Sequence, residues 1–433
     1  MSYTLGIYTL GCKVNQYESE AIAELAEKAG FSLRAPSEVC DVYIINTCTV
    51  TGESDRKSRQ LVRRAISQNP KAVIIVTGCL AQVAPETVEA IDGVSYICGN
   101  ADKTSVINAA LSLVGKDKTA PISNVKPLEG APFEAMRIEH FPRTRAYIKI
   151  EDGCESHCAY CIIPAARGKI RSKPREEVLS ELCALARGGC REVVLTGIET
   201  ASYGIDFGSY RLADLLRDAD ALLGGNVRIR LGSLDPSLIK PAFVEKIASL
   251  PSVSPHFHLS MQSGSDSVLA SMKRKYNTKM ALAGMNLLRD AMPGVQFTTD
   301  LIVGFPGESD ENFAETMDFV EKAGFLSAHV FAYSKRKGTP AAQRKDQLPD
   351  DVKRRRSAEL IAKCRSVSSR ILESEVGKTY PVLFETCSGG VCSGHTPSFI
   401  EVKVRSDEDL HSSVRNVTLT AARDGFCEGI LND

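Results

Sequence analysis

The protein has 433 residues, a length that predicts two to four domains. Its composition, 43% apolar and 24% charged, is ordinary for a globular chain with a full core, and 14 cysteines are too few for a disulfide scaffold. Basic and acidic residues number 53 each, so the formal net charge is zero. Taken alone, that balance argues against a nucleic-acid partner, because such proteins usually carry excess Lys and Arg.

The first residues lack the basic start, apolar core and small-residue cleavage site of a signal peptide. No apolar run approaches the roughly 18 residues needed to cross a bilayer. We therefore expect a cytoplasmic protein with no membrane partner. In that compartment cysteines are normally thiols, and clustered thiols indicate metal binding.

The N-terminal part alternates strands and helices. Apolar, β-branched runs at 5–9, 42–46 and 72–77 are typical of buried parallel strands, and helical patterns cover 16–29 and 53–68. Residues 1–115 are therefore predicted to form an open parallel α/β domain. The following segment, 116–142, holds four prolines and few periodic apolar positions, so it is predicted to be a linker.

A longer α/β region follows the predicted linker. Six strand–helix repeats over residues 143–370 predict a partial (β/α)6 barrel, slightly short of the eight-fold form, which ends in a long basic helix at 350–375. The six strands are predicted at 146–150, 192–196, 227–231, 256–260, 296–303 and 327–333. Short strands at 380–386, 399–404 and 414–421, separated by turns, predict a small β-barrel over 371–433.

One group of cysteines forms a short motif. Cys154, Cys158 and Cys161 are spaced C-x3-C-x2-C in a loop after the first barrel strand. Three thiolates on such a loop hold three irons of a cubane cluster and leave the fourth iron open to a cofactor. The alternative is a structural zinc site with His157 as the fourth ligand, but the loop stands at the catalytic end of a barrel strand.

A second group is dispersed along the chain. Cys12, Cys48 and Cys79 each follow the end of a predicted parallel strand by two or three residues. Because the carboxyl ends of parallel strands share one edge, three thiols converge there, again with one metal position open. The alternative is three inert core cysteines. Core thiols also account for most of the other eight, although Cys387 and Cys392 flank a Gly-rich turn as a minor metal or redox pair.

With these motifs the chain resembles the radical S-adenosylmethionine superfamily and, more narrowly, its three-domain methylthiotransferases, which end in a TRAM domain. The matching motifs are TLGCKVNQYES (9–19), NTCTVT (46–51), TGCLAQ (77–82), DGCESHCAYCIIPAARGKIRSKP (152–174), LTGIETASYG (195–204), SMQSGSD (260–266) and DLIVGFPGE (300–308). GCKVNQYES, NTCTVT and DRKSRQLVRR are most similar to the branch that acts on threonylcarbamoyladenosine in tRNA.

This resemblance implies the chemistry. Cys154, Cys158 and Cys161 would hold a [4Fe–4S] cluster that cleaves S-adenosylmethionine to a 5′-deoxyadenosyl radical, and the radical would take hydrogen from carbon 2 of the adenine at tRNA position 37. Cys12, Cys48 and Cys79 would hold a second [4Fe–4S] cluster that carries the sulfur, methylated by a second S-adenosylmethionine. An electron donor such as flavodoxin or ferredoxin and a sulfur source are also implied, whereas the oligomeric state is not.

The resemblance further places S-adenosylmethionine contacts on one aromatic residue and on three strand ends. These candidates are Tyr160, Thr196, Gly197, Glu199, Ser260, Gln262 and Gly304. For the glycines, tight turns and close packing explain the residue as well as direct contact does, and Glu199 either receives the cofactor's amino group or faces solvent.

The neutral total conceals an uneven charge distribution. Residues 335–370 carry 12 basic and 4 acidic side chains, net +8, whereas residues 371–433 carry 5 and 10, net −5. Two basic groups beside the cysteines are predicted to contact RNA phosphates rather than only solvent. They are Arg56, Arg59 and Arg63 on one helix face, and Arg167, Lys169, Arg171, Lys173 and Arg175 along a stretch predicted to be extended.

Three alternatives to threonylcarbamoyladenosine modification stay open. Two keep the chemistry and change the substrate, to isopentenyladenosine in tRNA or to an aspartate of a ribosomal protein. The third is a non-catalytic RNA-binding protein in which the cysteines close structural zinc sites.

Overall fold

The computed structural model describes residues 2–117 and 120–432, so Lys118 and Thr119 of the predicted linker lie outside the described residues. It contains a parallel sheet at the N-terminus, a central partial barrel and a closed C-terminal β-barrel. The predicted fold class is confirmed. Within the described ranges no helix is both long and apolar enough to cross a membrane.

The N-terminal sheet has six parallel strands in the order β2-β1-β3-β4-β5-β6. Its strands are β1 (Thr4–Thr9), β2 (Ser32–Leu33), β3 (Val42–Thr47), β4 (Val73–Gly78), β5 (Tyr96–Cys98) and β6 (Ile122–Asn124). Its helices are α1 (Lys13–Lys28), α2 (Gly52–Gln68), α3 (Cys79–Val83), α4 (Pro85–Glu89) and α5 (Ser105–Leu113). Every residue of β3 and β4 is buried, as expected for strands covered on both faces.

The segment predicted as a linker is not free of the two domains. Its strand β6 pairs with β5, and Met136 and Ile138 are buried in a core that the N-terminal sheet shares with the barrel. The Tyr17 hydroxyl of α1 also donates a hydrogen bond to the Met136 carbonyl at 2.6 Å. Low periodicity therefore misled the prediction, because single apolar residues anchor this segment without forming a regular element.

The central barrel is open and its six predicted strands are confirmed. Its strands are β7 (Arg145–Lys149), β8 (Glu151–Asp152), β9 (Arg171–Ser172), β10 (Glu192–Thr196), β11 (Arg228–Leu231), β12 (Ser233–Leu234), β13 (His256–Gln262), β14 (Gln296–Val303) and β15 (Ser327–Ala332). Strands β11-β10-β7 and β12-β13-β14-β15 form its two parallel sheets, and β8 and β9 form a separate antiparallel ribbon.

The helices α6 to α14 follow in the same region. They are α6 (Ile163–Arg167), α7 (Arg175–Arg187), α8 (Leu212–Leu223), α9 (Pro241–Ile247), α10 (Asp266–Ser271), α11 (Thr278–Ala291), α12 (Asp310–Ala323), α13 (Pro340–Gln343) and α14 (Asp350–Glu375). The last is the predicted long basic helix. It packs against β15 and α12, so it forms part of the central domain.

The C-terminal region is a closed five-stranded barrel in the order β16-β17-β18-β20-β19. Its strands are β16 (Thr379–Ser388), β17 (Val391–His395), β18 (Glu401–Arg405), β19 (Val414–Ala422) and β20 (Cys427–Leu431). The sequence pattern predicted only three of them. Cys387 and Cys392 face each other across the β16–β17 hairpin and form a disulfide, so this pair does not follow the general expectation of free thiols.

The C-terminal barrel docks at the amino-terminal end of the central strands. Phe399, in the loop before β18, stacks between His256 and His395 with ring centroids 4.6 and 4.7 Å away. The guanidiniums of Arg230 and Arg145 lie 4.7 and 5.3 Å from the same ring. Since Arg145 and His256 begin their strands, this junction is opposite the carboxyl ends where barrel sites form.

Charged residues complete the junction. Glu192, at the start of β10, accepts hydrogen bonds from Arg230 at 2.8 and 3.0 Å and forms an ion pair with Arg145 at 2.7 Å. Burial opposes the charge on Glu192, but Arg230 and Arg145 outweigh it and lower the pKa of this carboxyl to about 2. Arg145 also pairs with Glu385 of the C-terminal barrel. The acidic tail is therefore held to the barrel by opposite charge.

Candidate functional site

The N-terminal cysteine set, Cys12, Cys48 and Cys79, lies at one edge of the parallel sheet. The register aligns Thr9 with Asn46 and Asn46 with Thr77, so β1, β3 and β4 end level with one another. Each cysteine follows its strand within three residues. Cys48 and Cys79 are buried and Cys12 is exposed, which places the set at the border between core and solvent.

Local contacts hold these three loops together. The Asn15 side-chain amide donates hydrogen bonds to the Leu10 carbonyl at 2.7 Å and the Thr47 carbonyl at 3.0 Å, joining the Cys12 and Cys48 loops. Gly78, before Cys79, has φ +96°, and a Cβ there would lie 2.5 Å from the Thr47 carbonyl oxygen, so only glycine fits. Burial raises the pKa of Cys48 to about 11, and the nearby Cys79 and Cys12 thiols add to that shift.

The loop cysteine set, Cys154, Cys158 and Cys161, lines a cavity of about 310 Å³ at the carboxyl ends of the barrel strands. Burial raises the pKa of Cys154 to about 12 and that of Cys161 to about 11. A thiol in such surroundings stays protonated until a metal takes the proton's place, since the thiolate is the form that binds metal. The three cysteines thus line one cavity.

Two charged side chains support the loop cysteine set. Arg274 donates a hydrogen bond to the Cys158 sulfur at 3.1 Å and others to Asp235 at 2.9 Å and to the Ser260 carbonyl at 3.1 Å. Glu199 accepts hydrogen bonds from the Ser156 hydroxyl at 3.0 Å and the Cys154 thiol at 3.4 Å. Sequence reasoning missed Arg274, because it lies in a short loop after α10 and matches no motif.

The N-terminal sheet contributes to the same cavity. Val50 and Thr51, just after Cys48, line it together with the loop cysteine set. Arg336, beyond β15, donates hydrogen bonds of 2.7 Å to the Thr49 hydroxyl and to the Asp55 carboxylate, and so fixes this loop against the barrel. The cavity therefore lies between the two domains.

The predicted S-adenosylmethionine contacts separate into two groups. Tyr160, Glu199, Ser260 and Gln262 line the cavity with the loop cysteine set. Gln262 has φ +65° at an irregularity between β13 and β14, a strained conformation of the kind found at binding sites.

Thr196, Gly197 and Gly304 are not among the described residues that line the cavity. A Cβ on Gly197 would lie 2.6 Å from a Glu151 carboxylate oxygen, so packing requires this glycine. Gly304 donates its backbone N–H to the Glu308 carboxylate at 3.0 Å. A Cβ on Gly304, whose φ is +70°, would overlap the Lys353 side chain, so close packing is the observed role of both glycines. Residues that the motif reading did not select, among them Asp300 and Phe331, line the cavity instead.

His157 is exposed and does not line the cavity of the loop cysteine set. It lines a second cavity of about 350 Å³ with Cys154, Gln82 and Lys169. Among the described residues no three His, Cys, Asp or Glu side chains are grouped as ligands of one metal ion. The donor chemistry of both cysteine sets fits iron–sulfur clusters, which take thiolate sulfur and, with three ligands, keep one iron open.

Two models of known families match the chain. The Radical SAM superfamily matches residues 148–320, which contain the loop cysteine set, and the uncharacterized protein family UPF0004 matches residues 4–99, which contain the N-terminal cysteine set. The two matches therefore coincide with the two cysteine sites.

Relatives match almost the whole length. The threonylcarbamoyladenosine tRNA methylthiotransferase MtaB of Bacillus subtilis is 40% identical over 98% of this chain and 96% of its own. The protein of the same name from Thermotoga maritima is 38% identical over 92% and 90%. The chain belongs to the radical S-adenosylmethionine tRNA methylthiotransferases. The tRNA-2-methylthio-N(6)-dimethylallyladenosine synthase of Carboxydothermus hydrogenoformans is also similar, 34% identical over 98% of each chain.

Solved structures show the same fold. The radical S-adenosylmethionine methyltransferase TsrM of Kitasatospora setae, with cobalamin and a [4Fe–4S] cluster bound, superposes with a TM-score of 0.57 at 14% identity, covering 91% of this chain and 81% of that one. Membership of the radical S-adenosylmethionine family implies a [4Fe–4S] cluster and S-adenosylmethionine for this methylthiotransferase.

The RNA contacts predicted for this methylthiotransferase need a correction. Residues 167–175 are not one extended stretch, because α6, β9 and α7 divide them. Arg167 and Lys173 are fully buried and bonded to carboxylates, so neither reaches a phosphate. Arg171 is nearly buried beside Asp152.

The remaining basic candidates are accessible. Lys169 is exposed, and Arg175 is part-exposed and paired with Asp218. On α2, Arg56 is exposed and paired with Glu53, Arg63 is exposed, and Arg59 is half-buried. An exposed ion pair contributes little and exchanges easily for a phosphate. These five side chains remain predicted RNA contacts.

Proposed function

We propose that this methylthiotransferase converts N6-threonylcarbamoyladenosine at position 37 of tRNA to its 2-methylthio derivative. The observation that carries the proposal is the single cavity lined by the loop cysteine set on one side and by Val50 and Thr51, next to Cys48, on the other. A substrate base held in that cavity contacts both cysteine regions. The substrate is inferred from the names of the Bacillus and Thermotoga relatives.

The two cysteine sets take different roles in this proposal. Cys154, Cys158 and Cys161 hold the [4Fe–4S] cluster that binds S-adenosylmethionine, and Cys12, Cys48 and Cys79 hold a second [4Fe–4S] cluster at the sulfur-transfer side. When bound, these groups supply an adenosyl radical that removes hydrogen from a C–H bond and a sulfur atom with its methyl group, with two S-adenosylmethionine molecules used per turnover.

The chain's own residues orient the reactants. Arg274 donates a hydrogen bond to the Cys158 sulfur at 3.1 Å and so holds this side chain in place beside the cavity. Tyr160, Glu199, Ser260 and Gln262 are the proposed cofactor contacts, because they line the same cavity. The apolar side chains of Ile163, Ile198, Ile302 and Phe331 line its walls and exclude water from a radical site.

The tRNA is proposed to approach the cavity over the domain junction. Arg56, Arg59 and Arg63 follow the cavity-lining residue Thr51 along α2, and Lys169 lies just beyond the loop cysteine set. Their positive charge suits the phosphates of an RNA loop. The C-terminal barrel is bound at the other end of the central strands, so its role in gripping RNA near the cavity is small.

Three further expectations complete the proposal. The chain is divided into a cluster-binding domain (1–115), a connecting segment (116–142), a radical barrel with its C-terminal helix (143–370) and a TRAM barrel (371–433). The enzyme acts in the cytoplasm. It receives electrons from a donor such as flavodoxin or ferredoxin and sulfur from a separate source.

Anaerobic reconstitution followed by nucleoside mass spectrometry tests the reaction. With tRNA that carries threonylcarbamoyladenosine, we expect its 2-methylthio product and about eight irons per chain, which fits two cubane clusters. Product only from isopentenyladenosine tRNA, or only from a ribosomal protein, would refute the substrate. Stoichiometric zinc in place of iron would instead favour the non-catalytic zinc protein.

Cysteine variants test the division of roles. Cys158→Ala should abolish the formation of 5′-deoxyadenosine, because the loop cysteine set then holds only two ligands. Cys48→Ala should retain part of that cleavage and form no methylthio product. Cys183→Ala, a cysteine of α7 outside both sets, is the matched control and should behave like the parent. A methylthio product from Cys48→Ala would contradict the assignment.

A further inference from the structure

A buried group of charged side chains joins the two cysteine sets, and its role goes beyond holding the domains together. We call it the interdomain charge cluster; its members are Glu18, Lys103, Lys149, Asp152 and Arg167. All five side chains are 0–5% exposed. Glu18 and Lys103 come from the N-terminal domain, and the other three come from the barrel and its loop.

Arg167 is the centre of this cluster. Its two terminal nitrogens donate to the Glu18 carboxylate at 2.6 and 3.1 Å, and one also reaches Asp152 at 3.2 Å. Lys149 donates to Glu18 at 2.9 Å, and Lys103 bonds the same carboxylate. Arg167 therefore cannot turn toward solvent without breaking several buried charge-assisted bonds.

The cluster carries excess positive charge. Three cations, Lys103, Lys149 and Arg167, face two anions, Glu18 and Asp152. At its border Arg171 adds a cation 3.6 Å from Asp152 and Glu134 adds a carboxylate that acts on Lys149 and Lys103, so the net charge is +1 with or without these two. Burying charge is unfavourable, and apolar residues of similar volume usually replace a buried ion pair at no cost in stability. An uncompensated buried cation therefore indicates an anion that the protein is built to hold nearby.

The N-terminal cysteine set lies directly beside that charge. Arg167 donates a hydrogen bond of 2.5 Å to the Asn15 side-chain carbonyl, which is 3.9 Å from the Cys12 sulfur. Its positive charge acts on Cys12 and Cys79. Asn100 donates to the Ala166 carbonyl, next to Arg167, at 2.7 Å and lies 3.6 Å from the Cys79 sulfur.

Arg167 also keeps one donor unused. Its Nε is buried and makes no hydrogen bond to any described residue. A buried N–H needs an acceptor, and sulfur of a cluster bound at the N-terminal cysteine set would be able to supply one. The reduction potentials of iron–sulfur clusters depend on net charge and on hydrogen bonds to sulfur.

We infer that Arg167 is a positioning residue for the cluster proposed at the N-terminal cysteine set, where its fixed positive charge stabilises the reduced, more negative form. The inference rests on the proposed function, since it needs a cluster at that site. The residue after Arg167 also contacts the loop cysteine set, because the Gly168 carbonyl accepts a hydrogen bond from the Cys154 N–H at 3.0 Å. Residues 167–168 thus place a positive charge beside the N-terminal cysteine set and hold the backbone of the loop cysteine set.

A redox titration tests this inference on the full-length chain. With Cys154, Cys158 and Cys161 replaced by Ala, iron and sulfide reconstitute the N-terminal cysteine set alone, and electron paramagnetic resonance measures its reduced fraction. At the midpoint potential of this background, Arg167→Gln should lower the ratio of reduced to oxidised cluster about tenfold, which corresponds to about 59 mV for one electron. Arg167→Lys should restore most of the ratio.

A second variant, which removes a negative charge instead of a positive one, keeps the inference testable if Arg167→Gln does not fold. Asp152→Asn removes an anion of the interdomain charge cluster and should raise the ratio of reduced to oxidised iron–sulfur cluster. Lys173→Gln, a buried cation bonded to Glu181 outside the cluster, is the control and should leave the ratio unchanged. Unchanged ratios in Arg167→Gln and Asp152→Asn, at the iron content of the background, would overturn the inference. A background without iron would refute the second cluster itself.

Discussion

The ring of Phe399 is expected to be one attachment of the C-terminal barrel to the central barrel, beside the Arg145–Glu385 pair and the Arg228 hydrogen bonds. The change to test is Phe399→Ala. It removes the stacks with His256 and His395 and the contacts with the Arg145 and Arg230 guanidiniums, all within 5.3 Å of the ring. The hydrogen-bonded strands of the C-terminal barrel itself are not touched.

Three of these contacts cross the junction, since His395 belongs to the C-terminal barrel itself. An aromatic stack contributes about 0.5–1.5 kcal/mol and each cation–π contact about 0.5–1 kcal/mol at partly exposed sites. Because Phe399 is half-buried, we take the lower half of the summed range, about 2 kcal/mol. That energy changes the equilibrium between docked and undocked barrel about 30-fold.

Limited trypsin digestion measures the undocked fraction, because Lys378 lies between α14 and β16 and half of its side chain is exposed. When opening is fast, the cleavage rate follows the open population, so it should rise up to about 30-fold in Phe399→Ala. The formation of 5′-deoxyadenosine should stay within about twofold of the parent, since the cavity lies at the other end of the barrel.

Phe426→Ala is the matched control. Its ring contacts Lys403 at 3.8 Å within the C-terminal barrel and is the same size. The reasoning is refuted if both variants are cleaved at the same rate, because the ring of Phe399 would then add nothing specific to docking.

The remaining predictions concern charge and covalent links. The pKa of Glu192 is lowered to about 2, so its ion pairs stabilise the fold at pH values above about 4.3, the ordinary pKa of a glutamate, and this stabilisation is lost as the pH falls toward 2. Glu192→Gln should therefore reduce the free energy of unfolding by about 3 kcal/mol at pH 6 and by clearly less at pH 3, and equal losses in urea titrations would contradict this. Arg336→Met breaks the bonds to Thr49 and Asp55, so hydrogen exchange of residues 49–55 should quicken more than tenfold, whereas unchanged exchange would show that the loop needs no clamp. Replacing Cys387 and Cys392 with Ser opens a short covalent loop and should lower the unfolding free energy of the C-terminal barrel by about 2 kcal/mol, checked by thermal unfolding with and without reductant.

Much of the fold could be predicted because it depends on local patterns. The buried strands β1, β3 and β4 and the six barrel strands are apolar runs between turn signals, and each was located to within a few residues. The short strands β2, β5 and β6 were missed because two or three residues carry no periodicity. Their pairing depends on neighbouring strands that are distant in sequence.

The same contrast applies to the charged residues. Alternation along 167–175 predicted one basic face, whereas Arg167 and Lys173 are buried against the carboxylates of Glu18 and Glu181. Glu18 is 149 residues from Arg167 in the chain. A pairing over that separation leaves no local signal, so burial decided what the charges do.

The sequence by itself identified the two cysteine sets, since C-x3-C-x2-C is a local spacing and the positions of Cys12, Cys48 and Cys79 follow from three strand ends. It also revealed that the zero net charge of the chain is a cancellation of a +8 segment by a −5 tail and a net charge of −3 over residues 1–334. The tertiary structure alone decided that Val50 and the loop cysteine set share one cavity, that Arg274 supports Cys158, and that the acidic tail binds the opposite end of the barrel. These features depend on contacts between segments far apart in the chain, which are fixed only when the domains pack against one another.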